Sequence, residues 1–465
     1  VRTRKPIWLA LIIVIIAGLS ALAVAFRPDR AIRVATGFVA HTICSKIFVS
    51  GLDPQTVFSE TLDRQGIRRL RWALSYRLDR TSGIVDASFA GMLGSRAAFH
   101  DGFGCVTLAG SAKPYLLKSD VAALKIPKTP PLLPKIAGPA VVVPSDARLK
   151  AALDHAFEEP VEPPFRRTKA VVVVHDGKVI AERYADGIGV DTQLLGFSMT
   201  KSVINALIGL LTQQGLVTPS MTAPIAEWRG ANDPRREIEI EHLMRMTTGL
   251  ALDETNSGFD LSSQMLYLYD DMAAPAVQAA LIAAPGTRWA YSSPSTQILA
   301  RIIRDAVGGP EQTLRFAWRD LFNPLGMRNV TLEFDGSGTL QGSSAMLASA
   351  RDWARFGLLY LQDGVAGDKR ILHADWVDLS ASSTLDTDYG AGFWTNRSEH
   401  ANAKGRIAMG IPRDAFFASG DLGQRIVILP TQRMVIVRLG DSVDPTGDIR
   451  GLGRLVGEVI AATTR

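Results

Sequence analysis

The tetrapeptide Ser198-Met-Thr-Lys201, inside GFSMTKS, sets a hydroxyl three residues ahead of an amine. A serine hydroxyl is a weak nucleophile until a neighbouring base takes its proton. On a helix, residues three apart share a face, so a helix starting at Ser198 would hold the Lys201 amine within hydrogen-bond reach. The following segment, SVINALIGLLTQQG, spaces Val203, Ile204, Leu207, Leu210 and Leu211 for burial and stops at Gly215. At a helix N-terminus, free backbone N–H groups can stabilise an oxyanion. The positive helix end and burial both disfavour the ammonium form of Lys201, moving it towards the neutral amine a base must be. The same tetrapeptide also fits a capping hydroxyl and a solvated lysine. Gly196-x-Ser198 is half of a G-x-S-x-G nucleophile elbow, but Thr200 stands where the second glycine belongs.

A second candidate lies in PGTRWAYSSPSTQILARII, where Tyr291 follows a Pro285-Gly286 turn and precedes an amphipathic helix. A phenol beside a lysine ammonium is expected to titrate below its usual value near 10 and can relay protons. The alternative for Tyr291 is a core aromatic with a satisfied hydroxyl. None of the seven histidines stands in metal-ligand spacing to another, and no phosphate-loop or dinucleotide fingerprint occurs. The expectation is therefore no metal and no cofactor. The charge is slightly basic, with Lys and Arg scattered among acids rather than massed, which argues against nucleic acid as a partner.

These residues need a scaffold, and the patterns describe one. SDARLKAALDHAF reads as a helix capped by Ser145 with apolar positions at helical spacing. AVVVVHDGKVIAERY is two β-rich runs joined at Asp176-Gly177, a hairpin signal because Gly accepts the positive φ of a type I′ turn. A second hairpin runs from Arg425 to Gly440, followed by a final helix in GLGRLVGEVIAATT. SARDWARFGLLYLQDG starts at a Ser349 cap and ends at Gly364. Strands at both ends of a helical middle predict an α+β domain over residues 145–465, with helices flanking an antiparallel sheet and a mostly helical subdomain.

Before that domain, residues 127–144 carry six prolines and read as an extended connector, or as an arm packed on the domain surface. Residues 27–126 show no clear long period and no evident role. Residues 1–26 open with Arg2, Arg4 and Lys5, then run uncharged from Pro6 to Phe26. About 20 such residues suffice to cross a hydrocarbon core of roughly 30 Å. The preceding basic residues orient the rest outside the cytoplasm, as a transmembrane anchor facing the periplasm or, if cleaved, as a signal peptide. In that oxidising space Cys44 and Cys105, the only two cysteines, are expected to form a disulfide.

Taken together, GFSMTKS, LMRMTTGLALDE, PGTRWAYSS, LFNPLGMRNV, SARDWARFGLLYLQDG, YGAGFW and ASGDLGQRIVILP resemble, in order and spacing, the serine β-lactamase/penicillin-binding-protein superfamily. More narrowly they resemble its class C-like hydrolases of the 6-aminohexanoate-dimer hydrolase type, over roughly residues 165–463. The resemblance implies a β-lactamase/transpeptidase-like fold, with Ser198 as nucleophile, Lys201 as its base partner and Tyr291 as the tyrosine of a Tyr-x-Asn motif. Ser293 replaces that asparagine and has a shorter reach. The family's third motif, Lys-Thr-Gly or His-x-Gly, should fall in FFASGDLG, where neither Lys nor His occurs. Ser419 and Gly420 then mark the strand edge that would complete the oxyanion hole. The missing cation, which helps hold a β-lactam carboxylate, turns the expectation towards a small amide or ester substrate. An inactive ligand-sensing relative on the same fold is the competing reading, and an α/β-hydrolase pairing Ser198 with His373 or His400 is a third.

Overall fold

The computed structural model describes residues 26–109, 126, 129–252 and 254–464. The apolar run from Pro6 lies outside them, apart from Phe26. The chain opens with α1 (Pro28–Cys44), extended by one wider turn to Val49, and α2 (Pro54–Leu62). A four-stranded antiparallel meander follows: β1 (Leu74–Asp79), β2 (Ile84–Phe89), β3 (Met92–His100) and β4 (Gly104–Leu108). Cys44 at the end of α1 and Cys105 on β4 are joined as a disulfide, with Cα atoms 6.1 Å apart.

The principal sheet is built from both ends of the remaining chain. After α3 (Ala147–Phe157) come β5 (Thr168–His175) and β6 (Lys178–Tyr184). Then come the long helices α4 (Thr200–Gln213), α5 (Leu261–Leu268), α6 (Ser293–Val307) and α7 (Ala350–Leu361). Strands β7 (Trp394–Thr395), β8 (Phe416–Gly420), β9 (Gln424–Leu429) and β10 (Met434–Gly440) precede α8 (Ile449–Thr463). The six strands pair antiparallel in the order β7-β8-β9-β10-β5-β6.

The uninterrupted apolar runs in these strands follow from covering both faces of the sheet. Side chains alternate across a strand. Ala170, Val172 and Val174 join the core formed with α4, α6 and α7, whereas Val171 and Val173 join a second core with α3 and α8. The first hairpin turns at Asp176 and Gly177 with φ of 49° and 76°, as its sequence predicts. Helix α7 starts at Ser349, whose hydroxyl accepts from the Asp352 N–H. Helix α3 is capped by Asp146 rather than Ser145. The α+β architecture read from the sequence is thus present, with the antiparallel sheet flanked by helices.

The proline-rich stretch lies along the domain. Leu133 and Ile136 are buried in its main core, and Val142 exchanges hydrogen bonds with Glu182 at the β6 edge. Residues 26–109 are also docked on the domain rather than separate from it. Lys46 lies 2.5 Å from Asp441 in a buried ion pair. The buried Glu333 carboxylate accepts from the Ser45 hydroxyl and the Cys105 N–H, both at 2.8 Å. Gly37 lets α1 approach α5 closely, since a Cβ there would sit 2.7 Å from the Tyr267 Cβ. Helix Pro28–Val49 is long and apolar enough to cross a membrane by composition, but 78% of its apolar window is buried inside the protein. That apolar surface is spent on the third core, between α1, the meander and the turn carrying Leu195 and Phe197.

Candidate active site

The turn bearing Ser198 is a short 3-10 segment, Phe197–Met199, that runs straight into α4. Phe197 adopts φ 46°, an unfavourable region for an aromatic residue that concentrates at functional turns. Gly196 makes the approach possible, because a Cβ there would sit 2.4 Å from the Trp353 ring. Ser198 is half-exposed and faces a cleft of about 390 Å³ that Tyr291, Ser293, Ser419 and Gly420 also line.

Lys201, three residues after Ser198 and in the first turn of α4, is 3% exposed. Its Nζ lies 3.0 Å from Ser198 Oγ, 3.0 Å from Ser293 Oγ and 2.9 Å from the Ser343 carbonyl oxygen. Burial draws the amine down to about 8, against a smaller upward pull from the Glu254 carboxylate. A neutral amine keeps two N–H donors and one lone pair. Donating to Ser293 and Ser343 leaves the lone pair for the Ser198 proton.

Tyr291 lines the same cleft as Ser198, and the Lys201 Nζ stands 5.0 Å from its ring centroid. The direction of its titration corrects the sequence-based expectation. Burial pushes the phenol upward, Glu254 adds to this, and the nearby Ser198 hydroxyl opposes only in part. The expectation assumed a lysine ammonium as neighbour, whereas this amine is itself desolvated. Tyr389 and Trp394 hold the ring, with centroids at 5.8 and 5.5 Å. Ser293 also departs from a purely substrate-facing role. Its hydroxyl bonds Lys201, and its N–H at the start of α6 donates to Glu254 Oε2 at 2.6 Å.

The strand edge lies opposite Ser198. Strand β7 pairs with β8 only at Phe416 and Phe417, so Ala418–Gly420 run free of it towards the nucleophile turn. A Cβ on Gly420 would meet the Gly196 carbonyl oxygen at 2.1 Å. The buried Arg425 guanidinium, drawn down to about 10 by burial, donates to the Gly420 carbonyl at 2.7 Å and steadies that edge. Arg64 comes from the segment after α2. It stacks 4.2 Å over Phe38 and lies 2.5 Å from Asp421. The arginines Arg64 and Arg425 thus line the cleft, while the third-motif strand supplies no Lys or His.

A histidine triad does not form. Neither His373 nor His400 lines the cleft. His373 bonds the adjacent Ala374 carbonyl and His400 lies 3.3 Å from Asp388. Among the described residues, no group of three or more His, Cys, Asp or Glu is placed to hold a metal. Sequence reasoning passed over Glu254, Arg64, His41 and the Ser343 carbonyl. Glu254 carried a signal, three residues beyond the Gly-Leu-Ala of LMRMTTGLALDE. His41 and Arg64 carried none, since they lie over 130 residues before Ser198.

A family model described as Beta-lactamase matches residues 153–460. The chain is 25% identical over 296 residues to the 6-aminohexanoate-dimer hydrolase of Paenarthrobacter ureafaciens, covering 60% of this chain and 74% of that one. In structure it is similar to a penicillin-binding protein homologue from Caulobacter crescentus, with a TM-score of 0.53 and 18% identity over 71% of this chain and 100% of that one. It is likewise similar to a family VIII carboxylesterase, with a TM-score of 0.53 and 15% identity over 70% and 99% of the two chains. At these identities the structural likeness establishes the fold.

Proposed function

This chain belongs to the beta-lactamase family, a family of hydrolytic enzymes, and from that premise we propose that it is a serine hydrolase cleaving a small amide or ester through an acyl-enzyme on Ser198. The observation that carries the reading is the Lys201 amine, buried, drawn down to about 8 and 3.0 Å from the Ser198 hydroxyl. The amine takes the Ser198 proton as Oγ bonds to the substrate carbonyl carbon. The negative charge moves to the carbonyl oxygen, between the Ser198 N–H and the β8 edge at Ser419 and Gly420. Tyr291 is held in its protonated form by burial. It gives its proton to the departing amine or alkoxide as the bond breaks, and Lys201 returns a proton to the phenol. Water then attacks the acyl-enzyme, losing its proton to the same pair and restoring Ser198. Glu254 holds the start of α6 through the Ser293 N–H, and so holds the Ser293 hydroxyl against Lys201.

Ser293 in place of an amide side chain and the absence of Lys or His on β8 favour substrates other than β-lactams. The disulfide fits an exported protein. The test is covalent labelling by a fluorophosphonate probe, run beside a panel of p-nitrophenyl esters, nitrocefin, linear amide dimers and D-Ala-D-Ala peptides. The expected result is a Ser198 adduct and ester or amide turnover, both abolished in Ser198→Ala and Lys201→Ala. Ligand binding without adduct or turnover would instead make the domain a sensor.

A further inference from the structure

A second concavity of about 330 Å³ adjoins the catalytic cleft. Ala31, Ile32 and Ala35 of α1 form one side of it, Ile67 and Leu70 another. Phe259, 54% exposed, lines it from the loop before α5. Arg64, Asn256, Leu266 and Tyr267 line both this groove and the cleft of Ser198, so the two are neighbours through those four residues. The leaving-group side is marked by Tyr291 with its supports Tyr389 and Trp394, and none of these three lines the groove. The groove thus meets the cleft at residues other than those around the proton donor, which is the ground for assigning it to the acyl half of a substrate.

We infer that this groove receives a long hydrocarbon acyl chain, making fatty acyl esters or amides the substrate class. The inference rests on the proposed serine-hydrolase reading. An exposed apolar concavity favours an apolar occupant, and the four lining residues it shares with the nucleophile's cleft favour the substrate's own chain as that occupant. The groove wall includes Pro28, the first residue of α1. Neither Ala31 nor Ile32 is fully buried, so each can be changed without opening the core.

The experiment measures kcat/KM for p-nitrophenyl acetate, butyrate, hexanoate, octanoate and decanoate with the full chain, Ala31→Trp and Ile32→Asp. The expected result is a rise of up to about fourfold per added methylene until the groove is filled, with the decanoate-to-acetate ratio collapsing at least tenfold in both variants. In parallel, cis-parinaric acid is titrated into Ser198→Ala, where chemistry cannot occur. Binding displaced by decanoate, and weakened when Ala31→Trp is added, is expected. A flat chain-length profile alongside Ser198-dependent acetate hydrolysis overturns the groove and leaves the hydrolase standing. If no ester is cleaved and Ser198 takes no label, the hydrolase reading falls. The chain-length inference then falls with it, whatever the parinaric acid titration shows.

Discussion

Gly420 lies so close to Gly196 that a methyl group on it would sit 2.1 Å from the Gly196 carbonyl oxygen. Two glycines more than 200 residues apart in sequence thus fix the separation between the nucleophile turn and the strand edge facing it. Gly420 has an ordinary extended φ of −121°, so the constraint is contact and not conformation. Gly420→Ala must push β8 away from Ser198. Esterase kcat should fall by about 100-fold or more, the scale of losing one oxyanion donor, with far-UV circular dichroism unchanged. Wild-type turnover in that variant would remove the strand edge from the mechanism.

The buried Lys201 titrates near 8, below its ordinary value, because burial penalises the ammonium. The base form therefore accumulates as pH rises through that value. Ester kcat/KM should climb through a midpoint near 8 and fall about tenfold for each unit below it. Lys201→Arg should be inactive across the range, since guanidinium cannot give up its proton there. A pH–rate profile to pH 10 checks both outcomes.

Glu254 pulls the Lys201 amine upward electrostatically. Glu254→Gln removes that charge while keeping an oxygen to accept the Ser293 N–H. The midpoint of the pH profile should move to lower pH, with KM little altered. A midpoint that stays in place or moves upward would remove Glu254 from the electrostatics of the base.

Tyr291→Phe keeps the ring between Tyr389 and Trp394 but deletes the phenol hydroxyl in the cleft of Ser198. Turnover of amides should drop by about 100- to 10,000-fold, the usual worth of a positioned acid. Esters with good leaving groups such as p-nitrophenolate should suffer less, because they depart without protonation. Equal losses on amide and p-nitrophenyl ester would mean the phenol only packs.

Cys44 and Cys105 close a loop with a sequence separation of 61 residues. On chain-entropy grounds that crosslink contributes about 4 kcal/mol. It pins α1, which brings His41 and Thr42 to the cleft, against β4. A Cys44→Ala/Cys105→Ala double variant should melt well below the parent in a thermal scan. It should also lose activity at temperatures where the parent is still fully active.

How much of this was legible in the sequence depends on the range of the information. Local chemistry was legible. Asp176-Gly177 demanded a tight turn, the Ser349 cap started a helix, and the spacing of Ser198 and Lys201 put both on one face. The disulfide was legible for a different reason, because only one pairing exists. The meander over residues 74–108 was not: Leu74, Tyr76 and Leu78 do alternate with polar residues, but the strands are short and half-exposed, so each offers only a brief pattern.

The sequence by itself determined which groups could do chemistry and, within residues 145–465, several of the segments that form helix or strand, because hydrogen bonding and side-chain periodicity act over a few residues. Tertiary packing alone decided that Tyr291 meets Ser198, that the phenol is driven up rather than down, and that Arg64 and His41 line the same cleft. Those outcomes depend on desolvation and on contacts between distant stretches. Burial of a charge is a property of the assembled interior, which no short window of residues encodes.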